Sequence, residues 1–445
     1  MTVNSSPPLL RGRGSSPAGE SAAYRSRAWV ALGMLSLVYV LNFLSRQLPA
    51  ILAKPIQDDL RISDGQLGRI GGLYFALFYC CISVPVGWLA DKTNRTRVLA
   101  AACAIWSIAT MCSGLAANYW QFVIAYMAVG FGEAGGVPPS YSIITDYFPS
   151  GRRGTALGLY NLGPGLGATL GIAFGASIAA AFNWRDAFLF LGSMGVVAAL
   201  CVLVFVREPV RGGMDAFELR SRSVDRGFAH TFAMFFASPS LRLAALASGA
   251  TQFITYGLAN FTVLFLMREK GMTLRQVAAY YSLVVLAGMG ASMVVSGRLI
   301  DRFTRSSKQA YALIPATSLA LAVMPFLGFA SAQNWRIALV FLTGTIFLNY
   351  FYLSCAVTLI QEEVRPDQRV MSGALLLLVM NFIGLGLGPT YVGAASDYFH
   401  VSHPQQSLQY ALYALAPFYL VAILLFLKLA GVLRKEERIR GEIVP

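Results

Sequence analysis

Long apolar runs recur along the chain and are separated by short segments rich in charged residues, glycine and proline. A run of about 20 apolar residues crosses the hydrocarbon core of a bilayer as a helix. Alternating ten-residue strands, the signature of a membrane barrel, are absent, so helices are the predicted elements. The pattern predicts twelve spans, near residues 29–53, 65–90, 98–117, 120–148, 154–181, 186–206, 239–267, 273–300, 309–331, 335–361, 370–396 and 406–432.

The predicted spans divide into two sets of six. We expect an all-α membrane protein with one six-helix bundle at 29–206 and a second at 239–432, joined by a charged cytoplasmic linker at 207–238. Residues 1–28 are rich in Pro, Gly, Ser and Arg, a composition that favours a disordered tail. They lack the apolar core and cleavage site of a secretory signal. Residues 433–445 are predicted to form a second tail.

Composition supports a membrane protein. Hydrophobic residues make up 56% of the chain and charged residues 13%, whereas soluble domains carry about 25% charged residues. The net charge of +14 could suggest a nucleic-acid partner, but Lys and Arg are concentrated in alternate loops and in both tails. Positive residues favour the cytoplasmic side of a membrane, so both termini are predicted to be cytoplasmic and the location a cell (inner) membrane. Attraction to anionic lipid headgroups is a secondary interpretation.

Several kinds of chemistry lack their sequence signals. All six cysteines fall inside predicted spans and at spacings that fit neither structural disulfides nor a zinc site. There is no phosphate-binding P-loop and no nucleophile elbow. We therefore expect no enzyme activity, cofactor or metal site, and a monomeric protein without a nucleic-acid partner.

One loop sequence occurs twice. Residues 87–97 read "GWLADKTNRTR" and residues 297–307 read "GRLIDRFTRSS", so that Gly87 matches Gly297 at a shift of 210 residues. Each copy follows the second predicted span of its half. A weaker echo follows the fourth span of each half. Repeated halves with a binding site between them are typical of secondary transporters.

These loop motifs resemble those between helices 2 and 3 and between helices 8 and 9 of the major facilitator superfamily. Within it, "LNFLSRQLPAILAKPI" (41–56), "GEAGGVPPSYSIITDYFP" (132–149) and "RRGTALGLYNLG" (152–163) resemble the spinster-like branch. The resemblance covers nearly the whole chain. It implies a major facilitator fold of two pseudo-symmetric halves, with the first, fourth, seventh and tenth helices lining a central cavity.

The first span departs from the pattern of this branch. Spinster-like proteins usually have an aspartate just before the arginine of the first helix, but here Ser45 precedes Arg46. Serine does not titrate near neutral pH, so a coupling role of that aspartate is absent or has moved elsewhere. We predict that Glu133 carries this coupling role instead.

Arg46 and Glu133 stand out as charged residues within the apolar bodies of the spans. Charges inside a membrane cost several kcal/mol and are functional hypotheses by default. Glu133 lies about 13 residues into the fourth span, or about 20 Å along the helix, near the bilayer centre. Arg46 lies at a similar level, so the two are predicted to pair. A structural ion pair, or snorkelling of Arg46 toward the headgroups, are the alternatives.

Other polar residues are predicted to bind a solute with Arg46. Asn42 lies one turn away on the same helix face, although a helix–helix hydrogen bond is an alternative role. Tyr256 and Asn260 in the seventh span and Asn349 in the tenth are the further candidates. The seventh and tenth spans are otherwise aromatic and apolar. Because arginine also suits a phosphate or carboxylate, we expect an amphipathic anionic solute.

The resemblance also places a charged inner gate at the loop motifs. In the family these charges pair in the outward-open state and separate in the inward-open state. The rule that basic residues favour the cytoplasmic side concerns only Lys and Arg, so it does not explain the aspartates in these loop motifs. The candidate gating residues are Asp91, Arg95, Arg97, Asp146, Arg152, Arg153, Asp301, Arg305 and Arg369.

Small residues mark two close contacts. The stretch "GEAGGVPP" at 132–139 predicts a bend beside Glu133, because proline lacks the amide that continues the helix. Gly167, Gly171 and Gly175 recur every four residues and predict a face on which another helix packs closely.

The leading hypothesis is a proton-coupled secondary transporter that moves an amphipathic anionic solute by alternating access. The resemblance suggests lysophospholipids or sphingolipid-like molecules as solutes, with protons and membrane lipids as the other partners. A drug or metabolite efflux antiporter is the alternative within the superfamily. An uncoupled lipid facilitator or a membrane receptor would need no titrating carboxylate in the cavity.

Overall fold

A computed structural model describes residues 22–210, 228–304, 307–365 and 368–441. Every regular element in these ranges is helical, which confirms the predicted all-α class. Within the described ranges, eleven helices are long and apolar enough to cross a membrane. A twelfth span is broken, and with it the structure agrees with two halves of six helices.

The N-terminal half contains six spans, several of which consist of more than one segment. They are α1 (Ala22–Ile51), α2 (Asp64–Arg69, Ile70–Tyr74 and Phe75–Lys92), α3 (Arg95–Gly114), α4 (Tyr119–Glu133 and Val137–Tyr147), α5 (Ser150–Tyr160 and Gly163–Ala181) and α6 (Trp184–Phe205). A short helix, Ala53–Leu60, lies between α1 and α2.

The C-terminal half has the same number of spans. They are α7 (Pro239–Arg268), α8 (Leu274–Gln276, Val277–Tyr281 and Ser282–Phe303), α9 (Ala310–Ser331), α10 (Trp335–Asn349 and Phe351–Glu363), α11 (Arg369–Met380, Asn381–Leu387 and Gly388–His400) and α12 (Ser407–Tyr413 and Ala416–Arg440).

Three boundaries differ clearly from the sequence prediction. α1 begins at Ala22, inside the tail at 1–28 for which the sequence predicts disorder. Part of the predicted linker is helical, from Phe228 to Ala237, while residues 211–227 lie outside the described part of the chain. α12 continues to Arg440, well into the predicted tail, because Glu437 is buried there against the loop before α9.

The fourth span has the longest interruption among the described spans. Residues 134–136 are not helical and separate segments of 15 and 11 residues. The break follows Glu133 directly, and the chain resumes a helix at Val137. Pro138 and Pro139 have no amide hydrogen to donate to the preceding turn, which is the physical reason for the predicted bend.

The internal repeat extends to the starts of α2 and α8. Ser63 and Gln66 form a capping box before α2, and Thr273 and Gln276 form the same box before α8, again 210 positions later (63 to 273). In each box the hydroxyl and the glutamine side chain bond to one another's backbone amides. A π-helical segment follows in both spans.

Glycines bring helices of one half into close contact. The predicted face of α5 packs on α1: a Cβ atom built on Gly167 would lie 2.5 Å from the carbonyl oxygen of Val40, and one on Gly175 would lie 2.8 Å from Leu48. Gly171 likewise meets the backbone of Leu44. A side chain larger than hydrogen would separate these helices.

The spans alternate in direction and so define two faces of the protein. Loops that follow odd-numbered spans lie on one face, here called the far face. Loops that follow even-numbered spans, and the described ends of the chain, lie on the opposite face, here called the terminal face. Basic residues of the loop motifs therefore lie at the terminal face.

Candidate functional site

Arg46 and Glu133 form a buried ion pair between α1 and α4, as predicted. Arg46 donates from both Nε, at 2.9 Å, and Nη2, at 2.6 Å, to the same carboxylate oxygen, Oε2. The side chain of Arg46 is 8% exposed and that of Glu133 is 0% exposed. The guanidinium therefore covers the carboxylate, and water reaches the carboxylate only if the guanidinium moves.

Ser45 contacts the second oxygen of this carboxylate. Its hydroxyl lies 3.4 Å from Oε1 of Glu133 and also donates, at 2.8 Å, to the backbone carbonyl of Asn42. The position of the family aspartate thus lies directly beside Glu133. In this chain the carboxylate of Glu133 therefore has a serine beside it, at the position where the resembled branch usually has an aspartate.

Aromatic rings surround the guanidinium. Its central carbon lies 4.7 Å from the ring centroid of Phe43 and 5.1 Å from those of Phe75 and Tyr79. Cation–π contacts at this distance are attractive and strengthen when water is excluded. The rings come from α1 and α2, so the cation is held by two helices besides α4.

The backbone around Glu133 is positioned by contact with α3. A Cβ atom built on Gly132 would lie 2.4 Å from the backbone nitrogen of Trp106 and 2.7 Å from its Cβ. Gly130 similarly faces the backbone carbonyl of Phe75, at 2.9 Å. The glycines thus allow α4 to approach α3 and α2 closely enough to bring Glu133 to Arg46.

The structure brings together only some of the predicted solute-binding residues. Asn42 is buried one turn from Arg46, and Tyr256 lies in α7, which packs against α1. Asn260 donates to the carbonyl of Tyr256, at 3.1 Å, and its side-chain oxygen faces Gly71 of the other half. α7 of the C-terminal half therefore packs against both α1 and α2, the helices that carry Arg46 and the surrounding rings.

Asn349 lies elsewhere. It is buried, and its amide exchanges hydrogen bonds with the hydroxyl of Tyr419, at 3.0 and 3.2 Å, inside the C-terminal half. In this conformation the Asn349 side chain joins α10 to α12 and does not reach Arg46.

At the terminal face, the predicted gating residue Arg95 is the centre of a buried network. It contacts Asp146 at 2.5 Å and Glu208 at 2.7 Å, and its own side chain is 3% exposed. Glu208 also accepts from the amide of Thr96, at 2.9 Å. Glu208 was not among the predicted gating residues, because its sequence gives little signal beyond its place three residues after α6, in "REP".

The C-terminal half has a related arrangement. Lys308 contacts Glu363 at 3.1 Å. Glu437 accepts from the hydroxyl of Ser307, at 2.9 Å, and from the amide of Lys308. Glu437, near the end of α12, thus binds the loop just before α9, the third span of its half. Glu208, which follows α6, likewise binds the start of α3, the third span of the first half.

The remaining gating candidates differ in burial and position. Arg97, Arg152 and Asp301 are exposed, and Arg153 donates to the carbonyl of Phe148 at 2.9 Å. Arg305 lies outside the described residues. Asp91 in α2 and Arg369 in α11 lie at terminal-face ends of their spans.

The ion pairs of Arg95 and Lys308 join elements within one half rather than joining the halves. In this conformation they therefore fix the loops of each bundle, and the predicted pairing across the gate is not formed by them. Among the described residues there is also no cluster of three or more His, Cys, Asp or Glu side chains able to hold a metal ion.

Comparison with known proteins gives consistent results. The sequence profile of the Major Facilitator Superfamily matches residues 35–389. An "MFS-type efflux pump" of Mycolicibacterium smegmatis is 30% identical over 83% of this chain and 85% of its own length. The "Sphingosine-1-phosphate transporter SPNS2" of Danio rerio is 27% identical over 88% of this chain and 82% of its own.

A solved structure agrees closely in fold. It is that of a bacterial homologue of the human lysosomal transporter Spinster, in an inward-facing and unoccupied conformation. The TM-score is 0.86 at 27% identity, over 93% of this chain and 98% of the other.

Proposed function

Since the chain belongs to the Major Facilitator Superfamily and is a spinster-like transporter within it, we propose that it is a proton-coupled transporter of an amphipathic anionic solute. The observation that carries the proposal is the buried contact between Arg46 and Glu133. In the proposed orientation the terminal face is cytoplasmic, in a cell membrane.

Coupling follows from one cation shared by two anions. With Arg46 in place, Glu133 is stabilised as a carboxylate by two hydrogen bonds from the guanidinium. An anionic solute that draws the guanidinium away leaves a buried carboxylate without its partner, and such a group binds a proton readily. Solute and proton binding then favour each other, and this coupling is reciprocal.

The surroundings support the proposed chemical class of solute. Arginine remains charged and offers a planar set of donors that matches phosphate or carboxylate. Phe43 and Tyr79 are half-buried and provide an apolar surface next to that charge. A lipid-like molecule with an anionic head and an apolar body, such as a lysophospholipid or a sphingolipid-like molecule, fits both properties.

A drug or metabolite efflux antiporter is the second candidate, favoured by the similarity to the mycobacterial efflux pump. A thermal-stabilisation screen of the purified protein separates the two candidates. Stabilisation by lysophosphatidic acid and not by cationic drugs supports the first, and the reverse supports the second.

The coupling test uses proteoliposomes and lysophosphatidic acid as the probe. Wild-type protein should accumulate the probe only when a pH gradient is imposed. Glu133→Gln should lose this gradient-driven accumulation by at least about tenfold but retain exchange of labelled for unlabelled probe, because Gln cannot release a proton. Asp58→Asn is the matched control, since Asp58 pairs with Lys54 at the exposed far face. Unchanged gradient-driven accumulation in Glu133→Gln would contradict the proposed coupling site.

A further inference from the structure

Asp64 is a buried carboxylate at the far face that the proposed coupling does not use. It begins α2 in the N-terminal half and is 6% exposed. Arg268 at the end of α7 donates to both of its oxygens, at 2.9 and 2.6 Å. Ser396 of α11 donates to it at 2.5 Å. Two spans of the C-terminal half thus converge on one side chain of the other half.

Asp397 makes the reciprocal contact. It belongs to α11 in the C-terminal half and accepts from the hydroxyl of Ser63, at 2.7 Å, and from the amide of Gly65, at 3.0 Å. Each half therefore provides one aspartate that accepts hydrogen bonds from donors in the other half. These bonds lie at the start of α2, next to the capping box that Ser63 forms.

Glycines allow the backbones of α2 and α11 to touch beneath these aspartates. A Cβ atom on Gly68 would lie 2.4 Å from the carbonyl oxygen of Pro389, and one on Gly393 would lie 2.4 Å from that of Asp64. Gly72 would meet the carbonyl of Gly386 at 2.7 Å. The contact extends about two turns along both helices, so the aspartates are not an isolated surface pairing.

The ion pairs described at the two faces differ in the elements that they join. The ion pairs of Arg95 and Lys308 at the terminal face stay within one half, whereas the ion pair of Asp64 with Arg268 at the far face joins the halves. A transporter that works by alternating access must separate its halves at one face while they remain joined at the other. The bonds between the halves at the far face are the ones that such a motion has to break.

We propose that Asp64 and Asp397, with the donors Arg268, Ser396 and Ser63, form a far-face latch that holds the two halves together. Breaking the latch is the step that opens the far face. The side chain of Arg268 is 28% exposed, so water is available to replace its bonds when the halves separate. Asp64 is buried and would leave Arg268 unpaired if it were made neutral, which opposes the closed state.

The test measures the far-face distance between the halves. Spin labels are placed at Ala117, in the loop after α3, and at Val401, after α11, both exposed and one in each half. The six native cysteines are first replaced. Double electron–electron resonance on full-length protein in nanodiscs then gives the distance distribution, and no solute needs to be known.

Asp64→Asn should raise the ratio of long to short far-face distances by at least about tenfold. This is a modest change compared with the usual effect of removing one partner of a buried ion pair. Asp397→Asn should shift it in the same direction and serves if Asp64→Asn does not fold. Asp58→Asn is the matched control, because Asp58 lies on the same face but pairs within its own helix, with Lys54. It should leave the distribution unchanged.

Distance distributions of Asp64→Asn and Asp397→Asn that match wild type, in protein that is monodisperse and folded, would overturn the latch. A shift of equal size in Asp58→Asn would also overturn it, since the effect would then follow surface charge. The result does not depend on Glu133 taking up a proton. The latch and the proposed coupling can therefore fail separately.

Discussion

Arg46 and Glu133 lie 87 positions apart in the chain, yet two nitrogens of one side chain donate to a single oxygen of the other. The second oxygen faces Ser45, at 3.4 Å. The two partners are not equivalent. An isolated buried carboxylate can become neutral by binding a proton, whereas a guanidinium remains charged.

This asymmetry predicts an order of stability among variants. Glu133→Gln leaves a buried cation without a partner and should cost roughly 3–5 kcal/mol. Arg46→Met should cost less, because the carboxylate then binds a proton. The double variant should be more stable than Glu133→Gln alone. Thermal unfolding in nanodiscs measures the loss of stability in each variant. If the loss in the double variant equals the sum of the losses in the two single variants, Arg46 and Glu133 do not stabilise one another.

Gly132 should tolerate no side chain. Gly132→Ala places a methyl group against the backbone of Trp106 and should destabilise the protein by roughly 1–3 kcal/mol, because α4 must move away from α3. The same shift would move Glu133 relative to Arg46, so coupled transport should fall with stability. Gly165→Ala is the control, since nothing lies within 4 Å of a Cβ atom built there. Equal melting temperatures for the two variants would contradict the close helix contact.

Arg95 and Arg97 are two residues apart but differ in burial. Arg95→Ala removes the buried guanidinium that contacts both Asp146 and Glu208 and should lower stability by roughly 3–5 kcal/mol. Arg97→Ala removes an exposed charge and should change stability by less than about 0.5 kcal/mol. Thermal unfolding of both variants, in parallel with wild type, measures the difference. If Arg97→Ala were the more damaging variant, the assignment of the network to Arg95 would be wrong.

Glu269 predicts a pH dependence of stability at the far face. Burial raises the pKa of its carboxyl, although the amides of Leu408 and Gln409 donate to it at 2.8 and 3.2 Å. An acid whose pKa is higher in the folded state than in the unfolded state adds to the free energy of unfolding at low pH. This contribution is lost as the pH rises through the pKa of the folded state. Glu269→Gln removes this titration.

The melting temperature of wild type relative to Glu269→Gln should therefore rise when the pH falls from about 7 to about 5. Asp58→Asn, treated in the same way, corrects for effects of surface charge on the same face. A difference between wild type and Glu269→Gln that stays constant over this range would contradict the raised pKa.

Much of the fold could be predicted because its signals are local. A run of apolar residues must satisfy its backbone in lipid as a helix, whatever the neighbouring helices are. The repeat at Gly87 and Gly297 indicated two halves, and the structure shows the same period in the capping boxes at Ser63 and Thr273. The bend beside Glu133 was likewise predicted from adjacent prolines.

The site was predictable only in part. Arg46 and Glu133 could be found because a charge within an apolar span is unusual in itself. Glu208 could not be found in this way, since an acid in a polar loop is ordinary until Arg95 is seen to contact it. Asn349 shows that a polar residue in a span can also be bonded within its own half, as it is to Tyr419, which the sequence does not reveal.

The sequence by itself determined the helical spans, their division into two halves and the two residues of the buried ion pair, because these depend on local composition and on the cost of charge in lipid. Only the tertiary structure decided that Asp64 meets Arg268 while Arg95 stays within its own bundle. Such partners are set by how the two halves pack, and spacing along a helix specifies neighbours only three or four residues away.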